Sequence, residues 1–221
     1  MNLPDQGMLV VISGCSGTGK NSVLRELMRI HPGLVYSISV TTRPPRPGEV
    51  DGRDYFFATE EEFARLRSQG DLLESARVYD HYYGTPRRFV EEAISRGKTV
   101  ILDIDVTGAL NVRAQKPEAV LIFLLPPSLM ELRRRLTNRR TDGASEIEKR
   151  LANAGIELQS LKSYDYIVVN QDLKIASEQV RSILVAEACA VRRQNLDSLL
   201  DELLGDEEAR LGAHDDVSSP G

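Results

Sequence analysis

The residues best suited to chemistry come early in the chain: Gly14, Cys15, Ser16, Gly17, Thr18, Gly19, Lys20 and Asn21. They form a GxxxxGK spacing between an apolar run, Met8 to Ile12, and helical spacing at Val23, Leu24 and Leu27. Strand, glycine-rich turn and helix in that order make a phosphate cradle. Gly14, Gly17 and Gly19 can take positive φ, so main-chain N–H groups converge on an anion, and the helix opening near Lys20 aims its positive end at the same point. Lys20 supplies a full charge for the outer phosphates of a nucleoside triphosphate. Such loops usually close on Ser or Thr, whose hydroxyl ligates Mg2+. Here Asn21 holds that position, with an amide oxygen that can ligate a hard cation or bind it through water. The other reading of this stretch is a glycine-rich turn that binds nothing.

Three further groups could serve the same chemistry. Arg43 and Arg46 stand in Thr41 to Gly52, which holds three prolines and two glycines and so reads as an extended, ordered loop. Two guanidinium groups presented from a stiff loop suit a phosphate dianion, although composition alone would leave them as solvated arginines. Asp103 and Asp105 end the apolar run Thr99 to Asp105, and a spacing of two puts both on one face of a strand. One could hold Mg2+ through its water shell and the other a substrate base, or either could cap the helix expected from Thr107. Arg133, Arg134, Arg135, Arg139 and Arg140 fall within eight residues, followed by Lys149 and Arg150. A charge run is most often a solvated face; two helices with a polar hinge also describe a lid bringing arginines onto a polyphosphate. No aromatic residues interleave these arginines, as stacking on nucleic acid would need.

The elements that must position these groups alternate. Strands are expected at Met8 to Ile12, Leu34 to Val40, Asp54 to Phe57, Leu72 to Val78, Thr99 to Asp105, Ala119 to Leu125 and Tyr166 to Asn170. Helices follow the phosphate loop, Thr59, Pro86, Thr107, Ser128 and Asp172, and Tyr82 to Thr85 reads as a turn. The last long helix should run to Arg193 with Ile175, Val180, Ile183 and Leu184 on its apolar side, and Leu196 to Leu204 reads as a short amphipathic helix. Alternation around a phosphate loop predicts an α/β fold, a three-layer α/β/α core with a mostly parallel sheet. The expected organisation is a core of 1–36, 91–134 and 156–204, an insert of 37–90 with mixed short strands, an arginine-rich helical lid of 135–155 and a disordered tail of 205–221. With 221 residues, 41% hydrophobic and 28% charged, the chain can bury one good core. Its net charge of −5 offers no general field for nucleic acid, and Cys15 and Cys189 form no CxxC pair. With no leader-like N-terminus and no membrane-length apolar run, the expected location is the cytoplasm.

Four motifs in order then carry a resemblance. Ser37 to Phe57 reads SxSxTTRxPRxGExxGxDYxF, Leu73 to Ala76 reads Leu-Glu-x-Ala, Tyr82 to Thr85 reads YYGT, and Leu102 to Asp105 reads LDID. Together they resemble the guanylate kinases over about residues 8–195. The resemblance implies transfer of the ATP γ-phosphate to GMP, giving ADP and GDP, with Mg2+; dGMP acceptance stays open. It assigns ATP to Gly14 through Asn21. The GMP phosphate falls to Arg43, Arg46, Tyr55 and Tyr83, and the guanine to Ser39, Glu74, Thr85 and Asp105. Arg135, Arg139 and Arg150 resemble lid arginines that neutralise the transferring phosphoryl group, beside Lys20 and Arg43. Asn21, with Asp103 through water, is the implied metal site.

The chain departs from that pattern at Asn21, at Asp80-His81 where Gly-Asn is usual, at Thr107 where glutamine is common, and at Arg140 where glycine is usual. Two functions of different class follow. One is a GMP kinase, acting as a monomer or homodimer. The alternative is a guanylate-kinase-like binding module in which the GMP pocket takes a phosphorylated partner; such modules degrade the phosphate loop and lid, which here keep Lys20, three glycines and the arginines. An adenylate kinase is disfavoured by Glu74 and the Arg43/Arg46 loop.

Overall fold

The computed structural model describes residues 7–78, 80–138 and 144–212, without the side chains of 144–146 and 205–212. A five-stranded parallel sheet lies at its centre. Its strands are β1 (Met8–Ser13), β2 (Val35–Tyr36), β7 (Thr99–Asp103), β8 (Val120–Leu125) and β9 (Tyr166–Val169), in the order β2-β7-β1-β8-β9. β1 is buried along its whole length because both of its faces are covered, which is why its sequence is a continuous apolar run. Met8, Val10 and Ile12 face α1 (Lys20–Ile30) and α7 (Leu173–Ala188), packing with Val23, Leu24, Leu27, Val180 and Leu184. Leu9 and Val11 face the other way and pack with Val90 of α3 (Arg87–Ser95) and Ala109 and Val112 of α4 (Val106–Gln115). The result is the expected three-layer α/β/α core.

A second, four-stranded sheet stands over the carboxyl edge of the first. It is built from β3 (Val40–Thr41), β4 (Phe56–Phe57), β5 (Leu72–Val78) and β6 (His81–Pro86), in the order β4-β3-β6-β5, with β6 antiparallel to both neighbours. α2 (Glu60–Gln69) lays Phe63 against Val40 and Leu72 of this sheet. Its ends are written in the sequence: Thr59 and Glu62 form a capping box, and Gly70 closes the helix at φ 76°. Helices α5 (Leu129–Asn138) and α6 (Ala144–Glu157) seat Leu132, Leu136, Ile147 and Ala154 on Cys15 and Phe123 at one end of the core.

Several expectations are corrected. Leu34 to Val40 is two strands in two sheets, β2 and β3, because the chain leaves the central sheet there. The Asp54 to Phe57 strand shrinks to β4: Asp54 is used in a turn, accepting the Val50 N–H at 2.9 Å, and Phe56 is exposed. Tyr82 to Thr85 is not a turn but the body of β6, held in register against β5 from Val78↔His81 to Glu74↔Thr85. The Thr99 to Asp105 strand stops at Asp103. Asp105 instead caps α4, accepting the Gly108 N–H at 2.9 Å, so the two carboxylates do not share a strand face. α7 ends at Ala188 rather than Arg193, and Ile175 points to solvent while Ala176 takes its place in the core. The final helix, α8 (Leu196–Gly212), runs past Leu204 into the tail expected to be disordered, as the good helix formers in DEEARL allow. Residues 213–221 lie outside the described residues.

Candidate functional site

The phosphate loop is shaped by its glycines at the points where a side chain has no room. A Cβ on Gly14, at φ 148°, would stand 2.3 Å from the Leu124 carbonyl oxygen, and one on Gly19, at φ 90°, would stand 2.6 Å from Asn170 Nδ2. Between them the Thr18 N–H and hydroxyl both donate to the Cys15 carbonyl, at 3.2 and 2.9 Å, which closes the turn. α1 opens directly on Lys20, with no acidic residue in its first turn. Lys20 Nζ donates to the Gly14 carbonyl at 2.9 Å, so the ammonium lies across the loop. A cavity of about 360 Å3 lined by Cys15 through Ser22 sits on this turn. Its donors are backbone N–H groups at a helix N-terminus, the arrangement that holds a phosphate.

A larger cleft of about 520 Å3 begins at Ser16, Lys20 and Asn21 and runs between the two sheets. It is also lined by Ser39, Arg43, Arg46, Tyr55, Glu74, Tyr83, Asp103, Asp105 and Arg150. Thr85 is buried and donates its hydroxyl to Glu74 Oε1 at 2.8 Å. The sequence-expected residues for an acceptor nucleotide therefore meet in one space, and that space opens onto the phosphate loop. Arg150 reaches the loop itself, donating to Ser16 Oγ at 3.0 Å. Arg135 does not line the cleft. Its guanidinium donates to the carbonyls of Thr18 at 3.2 Å and Asn170 at 2.9 Å, tying α5 to the phosphate loop and to the end of β9. Arg139 and Arg140 lie outside the described residues.

The two ends of the cleft differ in charge. At one end Arg43 is nearly buried, with its guanidinium 5.3 Å from the Tyr55 ring centre and 5.9 Å from that of Phe57. Together with Arg46 and the tyrosine hydroxyls it makes an end rich in donors. At the other end the Glu74 and Asp105 carboxyl groups come together, while Asp103 lies within electrostatic reach of Lys20 and Tyr55. Burial pushes the Glu74 carboxyl up to about 7, with Asp105 adding to the effect and the Thr85 hydroxyl opposing it. Burial also raises Asp103 and Asp105, and the charge of Lys20 draws both back. Burial drives the Cys15 thiol up to about 12, with Glu157 adding to it, so this cysteine of the loop is inert as a nucleophile.

Some residues of the site were not singled out in the sequence. Glu49 accepts two hydrogen bonds from Arg43 NH2, at 2.8 and 2.9 Å. Asn170 Nδ2 donates to the Thr18 carbonyl at 2.7 Å from the carboxyl end of β9. Gly108 leaves space for Glu74, whose Oε2 would lie 2.8 Å from a Cβ there. Asp80 and His81, noted only as departures, line the cleft mouth. Position at a strand end could have pointed to Asn170, and the three-residue step from Arg46 to Glu49 could have pointed to a reciprocal turn. Nothing local marks Gly108.

Comparison with known proteins gives the family. The guanylate kinase family pattern matches residues 6–187. A guanylate kinase from Caldanaerobacter subterraneus subsp. tengcongensis is 49% identical over 193 residues, covering 87% of this chain and 94% of that protein. One from Lactiplantibacillus plantarum is 44% identical over 205 residues, covering 92% and 98%. The crystal structure of guanylate kinase from Anaplasma phagocytophilum superposes with a TM-score of 0.77 at 35% identity, covering 90% of this chain and 96% of that one. A family match over most of the chain, close relatives along nearly its whole length and a solved structure of the same fold leave one conclusion: this chain belongs to the guanylate kinase family.

Proposed function

We propose that the chain transfers the γ-phosphate of ATP to GMP, giving ADP and GDP, and that dGMP is a second acceptor to test. Membership of the family makes it a nucleotide kinase that works with a metal ion. The observation that carries the substrate reading is the single cleft that runs from Lys20 to Glu74. In this reading ATP lies on Gly14 through Asn21. The acceptor phosphate lies among Arg43, Arg46, Tyr55 and Tyr83, and the guanine lies against Ser39, Glu74, Thr85 and Asp105. An ionised Glu74 accepts hydrogen bonds from the ring N–H and exocyclic amine of guanine, donors that adenine does not present on that edge.

The attacking atom is an oxygen of the acceptor phosphate, already anionic, so no general base is required. The work of the chain is to align that oxygen with the γ-phosphorus and to meet the charge that spreads over the transferring group. Lys20, Arg43 and Arg150 do the second task. Arg135, through its grip on the Thr18 and Asn170 carbonyls, holds the loop in shape, and Arg139 remains a proposed lid contact.

The metal reading also fits the residues. Among the described residues no group of three or more His, Cys, Asp or Glu could hold an ion, so a metal here would not rest on a carboxylate or histidine cage. Such an ion takes its other ligands from the triphosphate and water, which is the habit of Mg2+. Asn21 and, through water, Asp103 are the donors we assign. When bound with ATP the ion neutralises charge on the β- and γ-phosphates.

We infer that the chain acts as a monomer or a homodimer. Among the described residues no helix is long and apolar enough to cross a membrane, and Cys15 and Cys189 are free thiols. We place the protein in the cytoplasm, with small nucleotides and not nucleic acid as its partners. The test is ADP formation from ATP and Mg2+ with GMP, AMP, CMP or UMP. Turnover with GMP alone is expected; equal turnover with AMP, or none with any acceptor, would refute the reading.

A further inference from the structure

Loop 42–52 leaves the second sheet after Thr42, whose N–H donates to the Tyr82 carbonyl at 3.1 Å. Among the hydrogen bonds of its turn, the Glu49 N–H donates to the Arg46 carbonyl at 3.0 Å and the Arg46 N–H donates to Glu49 Oε2 at 2.7 Å, a reciprocal pair that closes residues 46–49. The same carboxylate receives Arg43 NH2 on both oxygens, while Arg43 NH1 donates to the Pro44 carbonyl at 2.6 Å. The rings of Tyr55 and Phe57 lie within 6 Å of the guanidinium carbon, and the Tyr83 side chain is within hydrogen-bonding reach. Arg43 is therefore held along one edge and beside both rings by groups of the chain itself. One carboxylate fixes the side chain of the first arginine and the backbone of the second.

We propose that Glu49 is a positioning residue for acceptor-phosphate recognition, holding Arg43 and Arg46 in the relative placement that grips a phosphate dianion. The inference rests on the GMP reading of the cleft. Burial opposes ionisation of Glu49, but the Arg46 N–H and the Arg43 guanidinium outweigh it and hold the carboxyl below its ordinary range. Glu49 thus stays charged at neutral pH, although it stands beside a site for another anion. That makes the sign of its effect decisive. If Glu49 acted only through its charge, neutralising it would remove a repulsion and tighten phosphate binding. If it positions the arginines, neutralising it loosens a nearly buried guanidinium and weakens binding.

The experiment compares Glu49→Gln with the wild-type chain in steady-state turnover, varying GMP and ATP separately, with thermal melting alongside. Positioning predicts a rise of about ten- to a hundredfold in KM for GMP, the worth of a charge-assisted pair, with KM for ATP within twofold. An unchanged or lowered KM for GMP overturns the proposal. A parallel rise in both KM values with a fallen Tm also overturns it, since that is the mark of a general structural lesion. Should Glu49→Gln fail to fold, Glu49→Asp keeps the charge on a stem one methylene shorter. It must then raise KM for GMP alone, by a smaller factor, or the proposal falls. Failure of the underlying reading is seen separately: the wild-type chain would form no ADP with GMP.

Discussion

Replacing Glu74 with glutamine separates what this carboxylate costs the fold from what it gives to recognition. The group is buried at 4% exposure, accepts the Thr85 hydroxyl at 2.8 Å and ionises at about 7 instead of its ordinary 4.5. A folded-state value above the ordinary one means that the folded protein binds this proton more tightly than the unfolded chain does. The associated stability is fully present below about 4.5 and is lost as pH rises to about 7. The displacement corresponds to about 3 kcal/mol of burial cost for the ionised form at pH 8. Glu74→Gln lifts that cost while keeping the shape. Its Tm should match that of wild type near pH 4.5 and exceed it at pH 8 by up to roughly 10 °C, at about 2–4 °C per kcal/mol for a chain of this size. GMP affinity should move the opposite way. If only the ionised carboxylate accepts both guanine donors, wild-type affinity rises about tenfold from pH 6 to pH 8, and GMP binding near neutrality releases a proton. The GMP phosphate itself titrates near 6, so the same scan on Glu74→Gln supplies the baseline. Calorimetry in buffers of different ionisation enthalpy reads the proton directly. A Tm difference that does not change between pH 4.5 and 8, or a wild-type affinity no more pH-dependent than that of the variant, would refute the reasoning.

Two other substitutions test separate links. Asn21→Ser restores a hydroxyl at the second residue of α1 and should lower the Mg2+ concentration for half-maximal rate by about two- to tenfold, the worth of one modest ligand; an unchanged Mg2+ titration would show that the amide serves equally well. Thr59→Ala removes the side chain that accepts the Glu62 N–H at 3.1 Å at the start of α2, and should cost about 1 kcal/mol of unfolding free energy by denaturant titration while leaving the KM for ATP unchanged.

The parts of the fold that could be read from the sequence are those in which one local cause decides the outcome. The run Met8 to Ile12 had to be a strand covered on both faces, and a GxxxxGK turn after it had to open a helix. Thr59, Glu62 and Gly70 punctuate α2 by chemistry internal to that segment. The misread parts are those in which pairing across the chain wins over local pattern. Tyr82-Tyr83-Gly84-Thr85 has a turn-like glycine, yet β5 supplies a partner strand for all four residues and Gly84 is needed small, since a Cβ there would lie 2.8 Å from Leu72 Cδ1. Leu34 to Val40 looks continuous, but its two ends belong to different sheets.

The candidate site divides along the same line, and the division says how it works. Residues that would touch the nucleotides carry conspicuous chemistry and could be named from the sequence. Residues that give those groups their direction could not, because their role exists only in the contact. Asp105 illustrates both: named for its charge, it spends Oδ1 on the Gly108 N–H, and that glycine in turn makes room for Glu74 Oε2. A side chain at position 108 would crowd Glu74 Oε2 at 2.8 Å and Asp105 Oδ1 at 3.1 Å, two residues proposed to touch GMP, with neither of them substituted. On the proposed reading, base selectivity therefore depends on the start of α4 as well as on the carboxylate itself.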